Sequence, residues 1–124
     1  MFADTDFLLA LVKESDWLKE KAEEILSLNK EHITTSISVM LEVAIICRRL
    51  GISITPIFSQ ICGLIGVDEF TRTICLKAAM LMERYELNIF DAFHAAYCGG
   101  DAIISSDTVY DRLGIERVKL EKGG

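Results

Sequence analysis

Two short apolar runs in this chain end on an aspartate and pass directly into a helical pattern. Met1-Phe2-Ala3 runs into Asp4, and Ala102-Ile103-Ile104-Ser105-Ser106 runs into Asp107. Other strand-like runs, His32 to Thr35, Ile65 to Val67 and Glu116 to Leu120, also alternate with longer helical segments. Strands separated by helices build parallel sheets, because a parallel neighbour needs a crossover and the crossover helices cover the sheet's faces. The fold class expected is α/β, with a mostly parallel sheet covered on both sides.

The helical segments follow from caps and stripes. Ser15 reads as the N-cap of a helix from Asp16 to about Leu28, with Trp17, Ala22, Ile25 and Leu26 as its apolar stripe. Ser36 or Ser38 caps a helix that runs to Leu50 and stops at Gly51. Thr55 and Pro56 open a helix through Leu64. A longer one from about Phe70 to Tyr85 turns Ile74, Ala78, Leu81, Met82 and Tyr85 inward. Asn88 caps Ile89 to Cys98, and a last helix spans Asp107 to Leu113. The chain of 124 residues suits one domain over residues 1–120, with residues 121–124 as a loose tail.

No apolar run reaches the ~18 residues that a spanning helix needs, since Glu42, Arg48, Arg49 and Gln60 interrupt the greasiest stretches. Asp4 and Asp6 stand where a signal peptide would be basic. The expectation is a cytoplasmic protein with no membrane partner. Cys47, Cys62, Cys75 and Cys98 form no CxxC pair and lie among apolar neighbours, so they read as buried free thiols rather than a zinc cluster. A net charge of −6 argues against nucleic-acid binding through a broad basic face, but not against a metal-dependent nuclease whose carboxylates are offset by bound cations.

Asp4, Glu42, Asp91 and Asp107 share one property. Each sits at the end of, or within, an apolar segment, where a carboxylate is costly unless something positive meets it. In open α/β sheets ligands collect at the carboxyl ends of strands. Asp4 and Asp107 should emerge there, with Glu42 and Asp91 leaning in from helices that follow turns. Four acids on one rim point to a hard divalent metal. Taken singly, Asp107 as a helix cap and Asp91 as an answer to a helix dipole are sufficient explanations. Glu42, amid Val39, Met40, Leu41, Val43, Ala44 and Ile45, has an arginine ion pair as its structural alternative. His94 reads as a satisfied core histidine before a ligand. Arg49, two turns beyond Glu42 and ~10 Å away by helix rise, can reach a phosphate or simply end its helix in solvent. Asp101 and Asp111 read as surface acids.

The segments Asp4-Thr5-Asp6-Phe7-Leu8-Leu9-Ala10, Thr35-Ser36-Ile37-Ser38-Val39-Met40-Leu41-Glu42, Asp91-Ala92-Phe93-His94-Ala95-Ala96 and Ser105-Ser106-Asp107 resemble, in order and spacing, the four acidic motifs of the PIN-domain ribonucleases. The resemblance covers essentially the whole chain. It implies a PIN-like three-layer sandwich and an endoribonuclease that uses Mg2+ or Mn2+. It further implies an RNA substrate, an antitoxin protein as partner in a toxin–antitoxin pair, and a homodimer. By position, Asp4, Glu42, Asp91 and Asp107 match the family's metal-site and catalytic acids, and Ser105 matches its usual Thr or Ser. Asp6 departs from the usual Asn or Ser and enriches the site's negative charge. Val109 stands where a further acid often follows.

Hydrolysis of a phosphodiester needs an activated water and stabilisation of developing charge, and a carboxylate-held Mg2+ supplies both. On this basis Asp4 and Asp107 are placed closest to the metal, with Asp91 and Glu42 completing the site and one of them orienting the attacking water. Two other functions remain open to these residues. Asp4-Thr5-Asp6 is also the acid pair of haloacid-dehalogenase-like phosphatases, but Leu8 stands where Thr or Val is expected and Asp101 and Asp107 lack the downstream spacing. A catalytically silent PIN-like module is the other, with Phe58, Ile61 or Phe70 forming an apolar partner face.

Overall fold

Strand order is the part of the architecture that decides where a site can lie. In the computed structural model, which describes residues 1–122, the strands β1 (Phe2–Ala3), β2 (Thr34–Ser36), β3 (Gly66–Asp68), β4 (Ile103–Ser105) and β5 (Arg117–Lys119) form one sheet in the order β3-β2-β1-β4-β5. Every pairing is parallel, with Phe2 opposite both Thr34 and Ile103. The chain therefore starts at the centre, moves outward to β3, and returns to the other side of β1. The reversal falls between β1 and β4, where crossovers leave on opposite faces and a crevice opens at the strands' carboxyl ends.

The helices among the described residues are α1 (Thr5–Val12), α2 (Lys19–Asn29), α3 (Ile37–Leu50), α4 (Ile54–Leu64), α5 (Arg72–Tyr85), α6 (Ile89–Cys98) and α7 (Val109–Arg112). The α/β sandwich expected from the alternation is thus present. Phe2, Ala3, Ile103 and Ile104 of the central strands are buried on both faces, packed with Phe7 and Leu8 of α1, Val39 and Val43 of α3, and Tyr110 of α7. Outside this core, Ala78 of α5 meets Ala92 and Ala96 of α6, small residues that let the two helices approach closely. No helix among the described residues is long and apolar enough to cross a membrane.

Caps account for where elements start and stop. Ser36 Oγ accepts from the Val39 amide, and α3 ends at Gly51, whose φ of 69° is left-handed and lets Ile52 N donate to Cys47 O at 2.8 Å. Several sequence expectations need correction. Helix α2 begins at Lys19 rather than Asp16, because the Asp16 carboxylate accepts from the Leu18 amide and Leu18 takes the buried position; Trp17 is 66% exposed. Ser53 rather than Thr55 precedes α4. Cys62 and Cys75 are exposed, whereas Cys47 and Cys98 are buried as expected. Helix α5 presents more apolar surface than α6 covers, which leaves Cys75, Leu76 and Met80 outside. Ile61 is fully buried and offers no partner face, while Phe70 is exposed with its ring edge-on to Phe93. Glu121 and Lys122 lie beyond β5, and the rest of the expected tail, Gly123 and Gly124, lies outside the described residues.

Two glycines separate backbone from packing effects, since an added Cβ meets nothing within 4 Å at either Gly51 or Gly63. Gly51→Ala should cost about 1 kcal/mol, through the left-handed φ alone. Gly63→Ala, inside α4, should stabilise by about 0.5–1 kcal/mol. Urea denaturation of both variants checks this; equal shifts of the same sign would contradict it.

Candidate active site

At the β1/β4 edge a cleft of about 370 Å3 is lined by Asp4, Thr5, Asp6, Leu9, Glu42, Ile46, Asp91, Ser106 and Asp107. All four acids singled out from the sequence meet there, together with Asp6. No lysine or arginine is among the lining residues.

Each acid is held by a neutral donor. Asp4 caps α1: its Oδ1 accepts from the Thr5 amide at 2.8 Å and its Oδ2 from the Ser105 hydroxyl at 2.7 Å. Ser105 also ties the last acid in place, since its Oγ accepts from the Asp107 amide at 3.0 Å. Asp107 Oδ1 accepts from Val109 N at 2.9 Å in the turn that leads into α7, but the helix begins at Val109 and its N-cap is Thr108 rather than Asp107. Asp91 is fixed by Asn88, which accepts from the Asp91 amide and donates Nδ2 to Asp91 Oδ2 at 2.8 Å. Asp6 Oδ2 accepts from both the amide and the hydroxyl of Ser106. Its Oδ1 is buried without a hydrogen-bond partner.

Glu42 is not paired with an arginine. Thr5 Oγ1 donates to Glu42 Oε1, and His94 Nε2 lies 3.1 Å from the same oxygen. A carboxylate only accepts, so Nε2 carries the proton toward Glu42. On the other side of the ring, Nδ1 lies 2.9 Å from Ser38 Oγ, which is bonded in turn to Ser36 Oγ at 2.7 Å. His94 is fully buried, as expected of a core histidine, yet what satisfies it is the site itself. One carboxylate oxygen each from Asp4 and Glu42 and one ring nitrogen of His94 lie within 4.8 Å of one another. Because both ring nitrogens already have partners, His94 orients Glu42 rather than completing a ligand set.

The electrostatics follow from burial and mutual repulsion. Burial, with the charge of Asp6 adding, pushes Asp4 up to about 6 despite the nearby His94 and the Ser105 hydroxyl. Burial also raises Asp6, only in part offset by its bonds to Ser106, and burial with the charge of Asp107 raises Asp91. Glu42 goes the other way: burial pushes it up, but the hydrogen bonds from His94 and Thr5 outweigh burial and hold it below the usual carboxylate range. The arrangement stores negative charge in apolar surroundings, and hard oxygen donors around an unpartnered buried oxygen fit a divalent cation.

Thr5, Ser38, Asn88 and Ser106 were not singled out as site residues from the sequence. Asn88 was legible only as a cap, and Thr5 offers a weak signal, a hydroxyl directly after an acid at a strand end. Arg49 lies on the exposed last turn of α3, one turn past Ile46, and does not line the cleft. Asp101 precedes β4, at the opposite end of that strand from Asp107, and pairs with the Met1 amine at 2.8 Å. Asp101 and Asp107 therefore form no acid pair at this edge. Asp111 is a surface acid bonded to Arg117.

The family model described as PIN domain matches residues 1–116. No curated protein sequence matches the chain. Among solved structures, Mycobacterium tuberculosis VapC20, a Sarcin-Ricin loop cleaving toxin, aligns with a TM-score of 0.83 at 19% identity, covering 95% of this chain and 98% of that one. A toxin–antitoxin complex from Klebsiella pneumoniae aligns at 0.73 and 17% identity, covering 98% of each chain. VapBC2 from Rickettsia felis, bound to a DNA fragment from its promoter, aligns at 0.74 and 12% identity, covering 97% of this chain and 98% of that one. At these identities the likeness is one of fold.

A carboxylate whose folded pKa is raised destabilises the fold once it ionises. Stability contributed by protonated Asp4 should therefore be present at low pH and lost as pH rises through about 6. In EDTA, the difference in unfolding free energy between Asp4→Asn and wild type should grow in the variant's favour by about 2–3 kcal/mol between pH ~4 and ~7. Urea denaturation across that range measures it; a difference independent of pH would contradict the assignment.

Proposed function

This chain belongs to the PIN-domain family, and from that premise we propose that it is an endoribonuclease that hydrolyses RNA phosphodiesters with Mg2+ or Mn2+ held by Asp4, Glu42, Asp91 and Asp107. The observation that carries the reading is a single cleft lined by five carboxylates and no basic side chain. Mg2+ takes one or two carboxylates and keeps several waters, so the acids need not all touch it. When bound, such a cation makes a water acidic and offsets charge that develops on phosphate oxygens.

The chain's own residues divide the remaining work. Asp4 and Asp107, tied together through Ser105 Oγ, are the acids nearest the cation in this proposal. Glu42 takes both of its hydrogen bonds on Oε1, which leaves Oε2 to orient the attacking water and receive its proton. His94 and Thr5 keep Glu42 ionised, the state a general base requires. Asp91, aimed by Asn88, completes the set. Arg49 is our candidate for a substrate phosphate beyond the cleft rather than at it.

We further propose that residues 1–120 act as one domain, in the cytoplasm, as a homodimer and as the toxin of a toxin–antitoxin pair. One structurally similar protein is part of a toxin–antitoxin complex. A largely apolar groove of Leu41, Ala44, Ile45, Ile54 and Phe90, with Arg48 also lining it, runs along α3, where a partner's apolar segment can lie. That groove, with the lack of basic residues at the cleft, also favours the second reading, a catalytically silent interaction module.

Two measurements separate the readings. Mg2+ or Mn2+ should raise the melting temperature of the wild type by binding the native state, and Asp4→Asn with Asp107→Asn should remove most of that rise. Metal-dependent cleavage of single-stranded RNA should fall roughly a hundredfold or more in Asp91→Asn and in Asp107→Asn, with native circular dichroism. Wild-type protein that binds metal but leaves every RNA intact would move the assignment to the interaction module; an unchanged thermal shift in the double variant would remove the metal site.

A further inference from the structure

The segment that presents Asp107 has little regular structure of its own. Strand β4 ends at Ser105, α7 begins at Val109, and between them residues 106–108 form a turn. The strand's end is secured from one side, where Leu120 N and the Arg117 guanidinium both donate to Ser105 O, at 3.3 and 3.2 Å. The turn itself is secured from the other side, by the first turn of α1. The Ser106 amide donates to Asp6 Oδ2 at 2.9 Å, while the Asp107 amide donates within the segment to Ser105 Oγ, which in turn donates to Asp4, the cap of that helix. The Ser106 hydroxyl donates to the same Asp6 oxygen.

We propose that Asp6 is a positioning residue, which through Ser106 fixes the turn that carries Asp107 into the cleft. The inference rests on the cation-binding role proposed for Asp107, and it gives a function to the residue that departs from the usual Asn or Ser of this family. Phe7, Leu8 and Ala10 bury α1 in the core, so Asp6 is mounted on a rigid element. Two hydrogen bonds from Ser106, one from its amide and one from its hydroxyl, converge on one Asp6 oxygen. Losing them frees Ser106 and, one peptide further, Asp107. Groups that orient metal-holding side chains typically matter by 10- to 100-fold in metal affinity, so the effect should be readable apart from catalysis.

The test uses the full chain and the variants Asp6→Ala, Asp6→Asn and Ser106→Ala, with Mn2+ affinity from calorimetry and amide hydrogen exchange from NMR. Asp6→Ala should weaken Mn2+ binding about tenfold or more and speed exchange at Ser106 and Asp107, while Asp91 on α6 keeps its wild-type rate. Asp6→Asn retains an acceptor oxygen and should recover most of both losses. Ser106→Ala keeps the amide bond and loses the hydroxyl bond, so its effect should be intermediate; it carries the comparison should Asp6→Ala not fold. Wild-type Mn2+ affinity and wild-type exchange in Asp6→Ala, or in Ser106→Ala if that is the variant available, would overturn the proposal. So would an Asp6→Asn variant as impaired as Asp6→Ala, because charge rather than the hold on the turn would then be what matters. If the wild type bound no Mn2+ and cut no RNA, the proposed function would fail, and the exchange rates would still decide whether Asp6 holds the turn.

Discussion

Carboxylates brought together at the carboxyl ends of β1 and β4 repel one another, and no lysine or arginine is among the residues that line the cleft they share. Asp4 is only 6% exposed, and its nearest charged neighbour on the chain, Asp6, adds to the repulsion. Such a cluster is stable only if the surrounding fold is rigid enough to oppose it. The strand order supplies that rigidity. Central strands buried on both faces fix where Asp4 and the 105–107 segment emerge, and the reversal between β1 and β4 leaves a crevice at that edge.

What positions the acids does not neutralise them. Ser105, Thr5, Asn88 and Ser106 supply hydroxyl, amide and backbone donors, and His94 is held between Ser38 and Glu42. A lysine or arginine in the same places would orient the carboxylates equally well, but would also satisfy their charge and leave a cation little to gain. Neutral donors separate orientation from charge compensation. The result is a cleft that is ordered and still strongly anionic, and in which one acid, Glu42, is kept ionised while its neighbours are pushed toward protonation.

Much of this was legible in the sequence because burial and polarity conflict there openly. Asp4 and Asp107 stand directly after apolar runs, and Glu42 interrupts an apolar helix, so each demanded an explanation that a surface acid such as Asp111 did not. Caps with fixed chemistry, Ser36, Asn88 and Gly51, set helix limits that the structure reproduces. What failed to show were contacts between distant segments. The bond from Thr5 to Glu42 spans 37 residues and that from Ser106 to Asp6 spans 100, and no local pattern encodes either. Periodicity draws Trp17 into a helix although Asp16 starts a turn there, and apolar neighbours point Cys62 and Cys75 inward although only part of α4 and α5 is covered.

If charge left uncompensated by the chain is what the cleft offers, then binding a cation must displace protons from it. Calorimetric titration with Mn2+ in buffers of different ionisation enthalpy counts them. Near pH 6, where Asp4 is pushed up to about 6, the account predicts that Mn2+ binding releases a substantial fraction of a proton, and that the release falls away as pH rises toward about 8. Binding with no proton release at pH 6, or no Mn2+ binding at all, would contradict it.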